Sequence, residues 1–292
     1  MKPIKDKSSS MLTNIGYLLA WLAAVLAAVS AVAGLLVPGL YLDSEGWVRQ
    51  ARAADFVTLI AVVPVLGICL LRGMTGKGRL IGLAALGYLV YTYAIFGFSV
   101  AINALTPVHF AVLGLSVWSV ALYVVKLARD GEHSMVATRL PRRVTAIFLV
   151  AVAALFGVMW LSQIADVIVS GEPTAELAGL GLFTNPVYTL DLAFALPLLA
   201  VAGVLLIRGW WRAADLALVA VGWVALMGLG VLAIFGFDAA AGVPVPIAVA
   251  GVIGAITAAG TVLAILGLMP TRRGPAGAAR RPLASALTPR SS

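Results

Sequence analysis

The chain has 292 residues, 62% of them hydrophobic and only 11% charged, with a net charge of +8. Soluble domains carry about 45–50% apolar and about 25% charged residues, so the composition excludes an ordinary soluble domain. The apolar runs cover the whole length and leave no room for a globular extramembrane unit. A positive charge of this size can signal nucleic acid, but here the basic residues sit between apolar runs, so the expectation is a membrane protein with no nucleic-acid partner.

A bilayer-crossing helix needs about 20 mostly apolar residues. In chain order, runs near 14–38, 55–71, 80–98, 107–127, 144–166, 186–207, 214–237 and 246–268 qualify. They are too long for strands and lack period-2 alternation. The fold class expected is therefore all-α, an integral membrane bundle of eight transmembrane helices. The first run exceeds the apolar core of a signal peptide and is expected to stay as an anchor. Placing the N-terminus in the cytoplasm puts every Lys and Arg except Arg49 and Arg52 on the inner side, which fixes both termini there and supports an even span count.

The second half of the chain repeats the first. Asp55, Gly67 and Arg72-Gly73 recur at one offset as Asp191, Gly203 and Arg208-Gly209. Ala94-Ile95-Phe96-Gly97-Phe98 recurs as Ala233-Ile234-Phe235-Gly236-Phe237, and the Pro107-Val108 to Gly114 pattern as Pro244-Val245 to Gly251. An even number of helices per repeat makes the two halves parallel, unlike inverted-repeat transporters. The organisation read from this is a cytoplasmic N-terminal segment 1–13, a first four-helix repeat 14–128, a basic cytoplasmic linker 129–143, a second repeat 144–269 and a disordered basic tail 270–292. The seventh span carries four residues more than the third, about one turn. A short helix is expected to start near Glu172-Pro173-Thr174-Ala175-Glu176. The bilayer is the first partner, and the arginine-rich tail, free of acids, suits anionic lipids on the cytoplasmic side.

An ionised carboxylate in hydrocarbon is expensive, so an acid inside a span calls for a reason. Asp191 is the leading case, lying more than one turn beyond the helix start at Thr184-Asn185-Pro186 and sharing a face with Tyr188 at i−3. Two readings stand: Asp55 and Asp191 at the positive ends of their helices, complementing the dipole, or Asp191 in a polar cavity open to the outside. For the cavity, neighbouring spans offer Asn185, Tyr188, Gln163 and Asp166, and the first half offers Asn103 and His109. Tyr88, Tyr91 and Thr92 give the third span a polar edge near mid-membrane, either bonding across the bundle or lining a path for a solute or lipid. Trp210 and Trp211, beside Arg208 and Arg212, read as interfacial anchors.

No cofactor or metal is expected. Cys69 is the single cysteine and reads as a packing residue, which rules out an intrachain disulfide, a multi-cysteine metal site or an iron–sulfur cluster. His109 and His133 fall on opposite sides of the membrane, against a bis-histidine haem. Phosphate-binding glycine loops, zinc-binding helices and serine nucleophile elbows are missing.

Tyr91-Thr92-Tyr93-Ala94, Asn103, Ala111-Val112-Leu113-Gly114-Leu115-Ser116 and Asn185-Pro186-Val187-Tyr188 with Asp191 together resemble a family of bacterial multi-spanning membrane proteins with no assigned activity. The similarity runs from about Asp55 to Phe237, with Asn in some relatives where this chain has Thr92. The resemblance implies a location in the bacterial cell (inner) membrane and carries over no activity. The leading functional expectation is binding or transport of a small solute or lipid through an outward-facing cavity near Asp191. A membrane scaffold or regulatory protein partner is the alternative, and a membrane-embedded enzyme, which would need Asp166, Asp191 and His109 to converge, comes third.

Overall fold

The computed structural model describes residues 7–129, 140–182 and 184–269. The tail 270–292, the first residues of the segment 1–13 and most of the linker 129–143, including His133, lie outside the described residues. The described elements are α1 (Lys7–Leu36), α2 (Glu45–Leu71), α3 (Gly76–Ser99), α4 (Thr106–Arg129), α5 (Arg142–Ser170), the short α6 (Ala175–Leu180), α7 (Pro186–Ile207), α8 (Ala213–Ala240) and α9 (Ile247–Leu268), with no strand among the described residues. All but α6 are long and apolar enough to cross a membrane. The protein is an all-α, eight-span membrane bundle.

One helix departs far from the run boundaries read in the sequence. α2 starts at Glu45, not near Asp55, because residues 45–54 are amphipathic: Trp47, Ala51 and Ala53 are buried while Arg49 and Gln50 keep their polar ends partly exposed. Ser44 caps the helix by accepting from Trp47 N–H at 3.3 Å. Asp55 therefore lies three turns inside α2, roughly 15 Å from its start, and its carboxylate does not sit at the helix dipole's positive end. α6 begins where a short helix was expected, with Thr174 as its cap.

Both α2 and α7 contain a π-helical turn, Thr58–Val62 and Asp191–Ala195. Each lies just ahead of a proline, Pro64 and Pro197, whose missing N–H and ring clash disturb the preceding turn. The extra residue is absorbed by i to i−5 bonds, Val63 N–H to Thr58 O and Leu196 N–H to Asp191 O. In α7 this wide turn begins at the acid itself.

α3 and α8 form the centre. α8 packs against α2, α3, α5, α7 and α9, and α3 against α2, α4 and α8. Hydrocarbon offers no hydrophobic drive between helices, so close approach through small side chains holds them. α1 buries a stripe of alanines, Ala20, Ala23, Ala24, Ala27 and Ala31, and packs on α4 and α2, and Ser119 Oγ of α4 donates to Gly16 O at 2.9 Å. Tyr17 and Tyr93 donate to Leu70 O and Ala27 O at 3.0 and 3.3 Å. α8 has four residues more than α3 (28 against 24), one added turn as expected. At the end opposite the basic residues, Arg49 pairs with Asp238 at 2.7 Å and Ser44 Oγ donates to Leu180 O at 2.9 Å, joining early and late parts of the chain. At the basic end Arg212 lies over the Trp211 ring, 4.1 Å from its centroid.

The recurring glycines differ in what they do. A Cβ on Gly203 would stand 2.9 Å from the Ala146 carbonyl oxygen of α5, whereas one on Gly67 would meet nothing within 4 Å. Gly203→Ala is expected to destabilise the detergent-solubilised protein by about 1–3 kcal/mol through overpacking, with Gly67→Ala leaving the melting temperature unchanged. Equal effects in thermal unfolding would show that α5 and α7 do not meet at this glycine.

Candidate functional site

Asp191 is 8% exposed and faces inward from the π turn of α7. Its two oxygens are each taken by a donor from a different helix: Tyr91 Oη of α3 donates to Oδ1 at 2.8 Å, and Trp160 Nε1 of α5 donates to Oδ2 at 2.7 Å. One turn further toward the end opposite the basic residues, Tyr188 Oη donates to Gln163 Oε1 at 2.6 Å. The pair Trp160 and Gln163 on α5 thus matches Asp191 and Tyr188 on α7 in antiparallel register, each pair one helical turn apart. The Tyr188 and Trp160 rings meet at a tilt of 43° with centroids 5.2 Å apart.

Asp191 borders a cavity of about 200 Å³ walled by α2, α3, α5, α7, α8 and α9. Its lining is mostly apolar and aromatic, including Trp47, Phe96, Phe156, Trp160 and Trp223, with Gln50, Tyr88, Tyr91, Thr92 and Asp191 as its polar groups. The Tyr91 ring meets the Trp223 ring edge-on at 5.5 Å. A carboxylate with one donor per oxygen retains free lone pairs, so it can accept from a molecule in the cavity.

The other residues singled out in the sequence separate into two groups. Tyr88, Tyr91 and Thr92 share the α3 face that walls the cavity, and Gln163 and Tyr188 form the bond just above it. Asn185 caps α7, accepting from Val187 N–H at 3.0 Å, and Asn103 ties its own loop, accepting from Leu105 N–H at 2.8 Å. Asp166 is exposed on α5. His109 is buried in an aromatic nest, 4.9 Å from Phe96 and 5.7 Å from Tyr93 by ring centroids. Asp166, Asp191 and His109 do not converge, because α4 packs on α1 and α3 and carries His109 away from α7.

Trp160, Trp47, Gln50 and Trp223 escaped sequence reading. For Trp160 a signal existed in its i,i+3 spacing to Gln163, opposite the same spacing of Tyr188 and Asp191. Asp55 also proved more than a helix-end acid. It is wholly buried and accepts from Tyr41 Oη at 2.5 Å, and its Oδ1 has no hydrogen-bond partner among the described residues. Burial and then the Asp55 charge push the Tyr41 phenol far above its ordinary value, which keeps it a donor. A Cβ on Gly34 would run into the Asp55 carboxylate, so this acid is sealed in protein and borders no part of the Asp191 cavity.

Fold and site together define a polytopic α-helical membrane protein with an intramembrane carboxylate at an aromatic cavity. No known protein family, curated protein or solved structure matches the chain.

Trp160→Phe keeps the ring and removes the N–H that Asp191 accepts. It is expected to cost about 1.5–3 kcal/mol, the range for hydrogen bonds to charged groups, while Asp166→Asn, at an exposed position, stays within about 0.5 kcal/mol of wild type. Thermal unfolding in one detergent checks both, and equal shifts would place Trp160 away from the carboxylate.

Proposed function

We propose that the chain is a bacterial cell-membrane protein with both termini cytoplasmic, built as two parallel four-helix repeats, and that it binds or moves a small solute or lipid through the cavity beside Asp191. The common offset of the recurring residues supports the repeat, as do a π turn before a proline in both α2 and α7 and the matched third and seventh spans. The placement of nearly all basic residues at one end supports the orientation. The resemblance over residues 55–237 supports the location.

The observation that carries the functional reading is Asp191, an acid inside a span that borders a cavity instead of lipid headgroups or a sealed core. Acids at membrane depth are costly and mark ligand or ion paths by default. Parallel repeats with a central site suit transporters, by analogy of fold. A scaffold role requires neither the cavity nor the carboxylate. The enzyme reading calls for Asp166 and His109 to join Asp191, and both lie elsewhere.

The test is thermal unfolding of the purified protein against a panel of solutes and lipids, comparing wild type with Asp191→Asn and with Gly230→Phe, which fills the cavity from α8. A ligand bound only by the folded state at about 100 times its Kd adds about 2.7 kcal/mol. That gain is expected in wild type and absent in both variants. A panel without effect on wild type would favour the scaffold reading and turn the search to protein partners.

A further inference from the structure

The two ends of the cavity wall are not closed in the same way as the corresponding helices of the first four spans. α1 and α4, the first and last of those spans, pack together, with Gly16 against Ser119, Leu122 and Tyr123. Their counterparts in the last four spans, α5 and α9, make no comparable contact. Near the basic end, Leu140, just ahead of α5, borders Gly267 and Leu218. Further from that end, Val152, Phe156 and Trp160 of α5 and Ile253 and Ile256 of α9 line the cavity from its two sides. The outer stretches of both helices carry exposed apolar residues, Val158 and Leu161 on α5 and Val249 and Val252 on α9. α5 and α9 thus wall the cavity from two sides without packing on each other, while the first four spans keep their acid, Asp55, sealed behind Gly34 and Tyr41.

The cavity has a definite chemistry at Asp191. Its carboxylate accepts from Tyr91 and Trp160, whose rings lie 5.5 Å from Trp223 and 6.3 Å from Phe156 by centroids. Among the described residues that line the cavity there is no Lys, Arg or His to neutralise it. An aromatic enclosure with one carboxylate attracts organic ammonium groups, by ring quadrupoles and by charge. A volume of about 200 Å³ exceeds the ~150 Å³ of an engineered cavity that holds a benzene ring. It accommodates a headgroup and leaves a long chain to extend outward.

Resting on the reading of this cavity as a binding site, we infer that its ligand class is an amphipathic organic cation: an ammonium headgroup held at Asp191 among the aromatic rings, with an apolar chain leaving between α5 and α9 into the bilayer. Entry is from the membrane, laterally, and the opening takes up chains of varied length. Anionic amphiphiles are rejected by the uncompensated carboxylate.

The full chain in maltoside micelles tests this with dodecyltrimethylammonium, dodecanol, dodecyl sulfate and tetramethylammonium, read by tryptophan fluorescence titration and thermal shift. The expected result is saturable binding of dodecyltrimethylammonium at least tenfold tighter than dodecanol, none of dodecyl sulfate, and a tenfold or greater loss in Asp191→Asn. Val252→Trp, on the exposed stretch of α9 outside the cavity lining, is expected to weaken dodecyltrimethylammonium at least fivefold by crowding the chain's exit while tetramethylammonium is unaffected. It keeps the test decisive if Asp191→Asn does not fold. Equal or tighter binding of dodecanol or dodecyl sulfate, or unchanged dodecyltrimethylammonium binding in Val252→Trp, would overturn the assignment of ligand class or route and leave the cavity as a site. Binding of none of the four would overturn the cation assignment, and the wider panel then decides whether the cavity binds anything.

Discussion

The carboxylate of Asp191 is the constraint on which the middle of this bundle turns. A charge inside hydrocarbon is expensive, about 2.5–3.5 kcal/mol at a helix centre on the insertion scale, and the protein must solvate it from within. It does so with two donors from two other helices, Tyr91 of α3 and Trp160 of α5. Satisfying one residue thereby fixes the approach of three spans. A second bond between α5 and α7, Tyr188 to Gln163, joins the one from Trp160 in setting the register of the two helices. Pro197 contributes by forcing the π turn that opens at Asp191.

The same problem is solved differently in the first four spans. Asp55 is deeper in its helix, is bonded by one phenol and is closed in by Gly34 and the α1 to α4 packing. There the acid belongs to a buried polar core beside the Tyr93, Phe96 and His109 nest. In the last four spans α5 and α9 stay apart, and the acid borders space. A sealed acid and one that borders a cavity, at positions of common offset in α2 and α7, set apart two stretches that look alike in sequence.

The span count was legible because each helix is long enough, and apolar enough, to be read without any partner. The start of α2 was not, since Arg49, Gln50 and Arg52 break the apolar run and the helix is amphipathic there. Both π turns were hidden as well. Pro64 and Pro197 were visible, but whether a proline kinks, breaks or widens a helix depends on what packs around it. At the site, Asp191 announced itself by its depth, and Tyr88, Tyr91 and Thr92 by sharing a helix face. His109, Asn103, Asp166 and Asn185 were grouped with them because they lie at span ends on the same side of the membrane. Which of those ends adjoin depends on helix neighbours, and α4 turned out to sit across the bundle from α7. Trp160 was read past for the converse reason, since a tryptophan in a span is ordinary until its N–H is seen to have a carboxylate to reach.

The most direct measurement is a double-mutant cycle in lipid nanodiscs between Tyr91→Phe and Asp191→Asn, read by reversible unfolding. If the α3 hydroxyl donates to the α7 carboxylate, the two changes should couple by about 1–3 kcal/mol. Additivity within about 0.3 kcal/mol would mean that Asp191 is not held by Tyr91, and the cavity built around that bond would have to be abandoned.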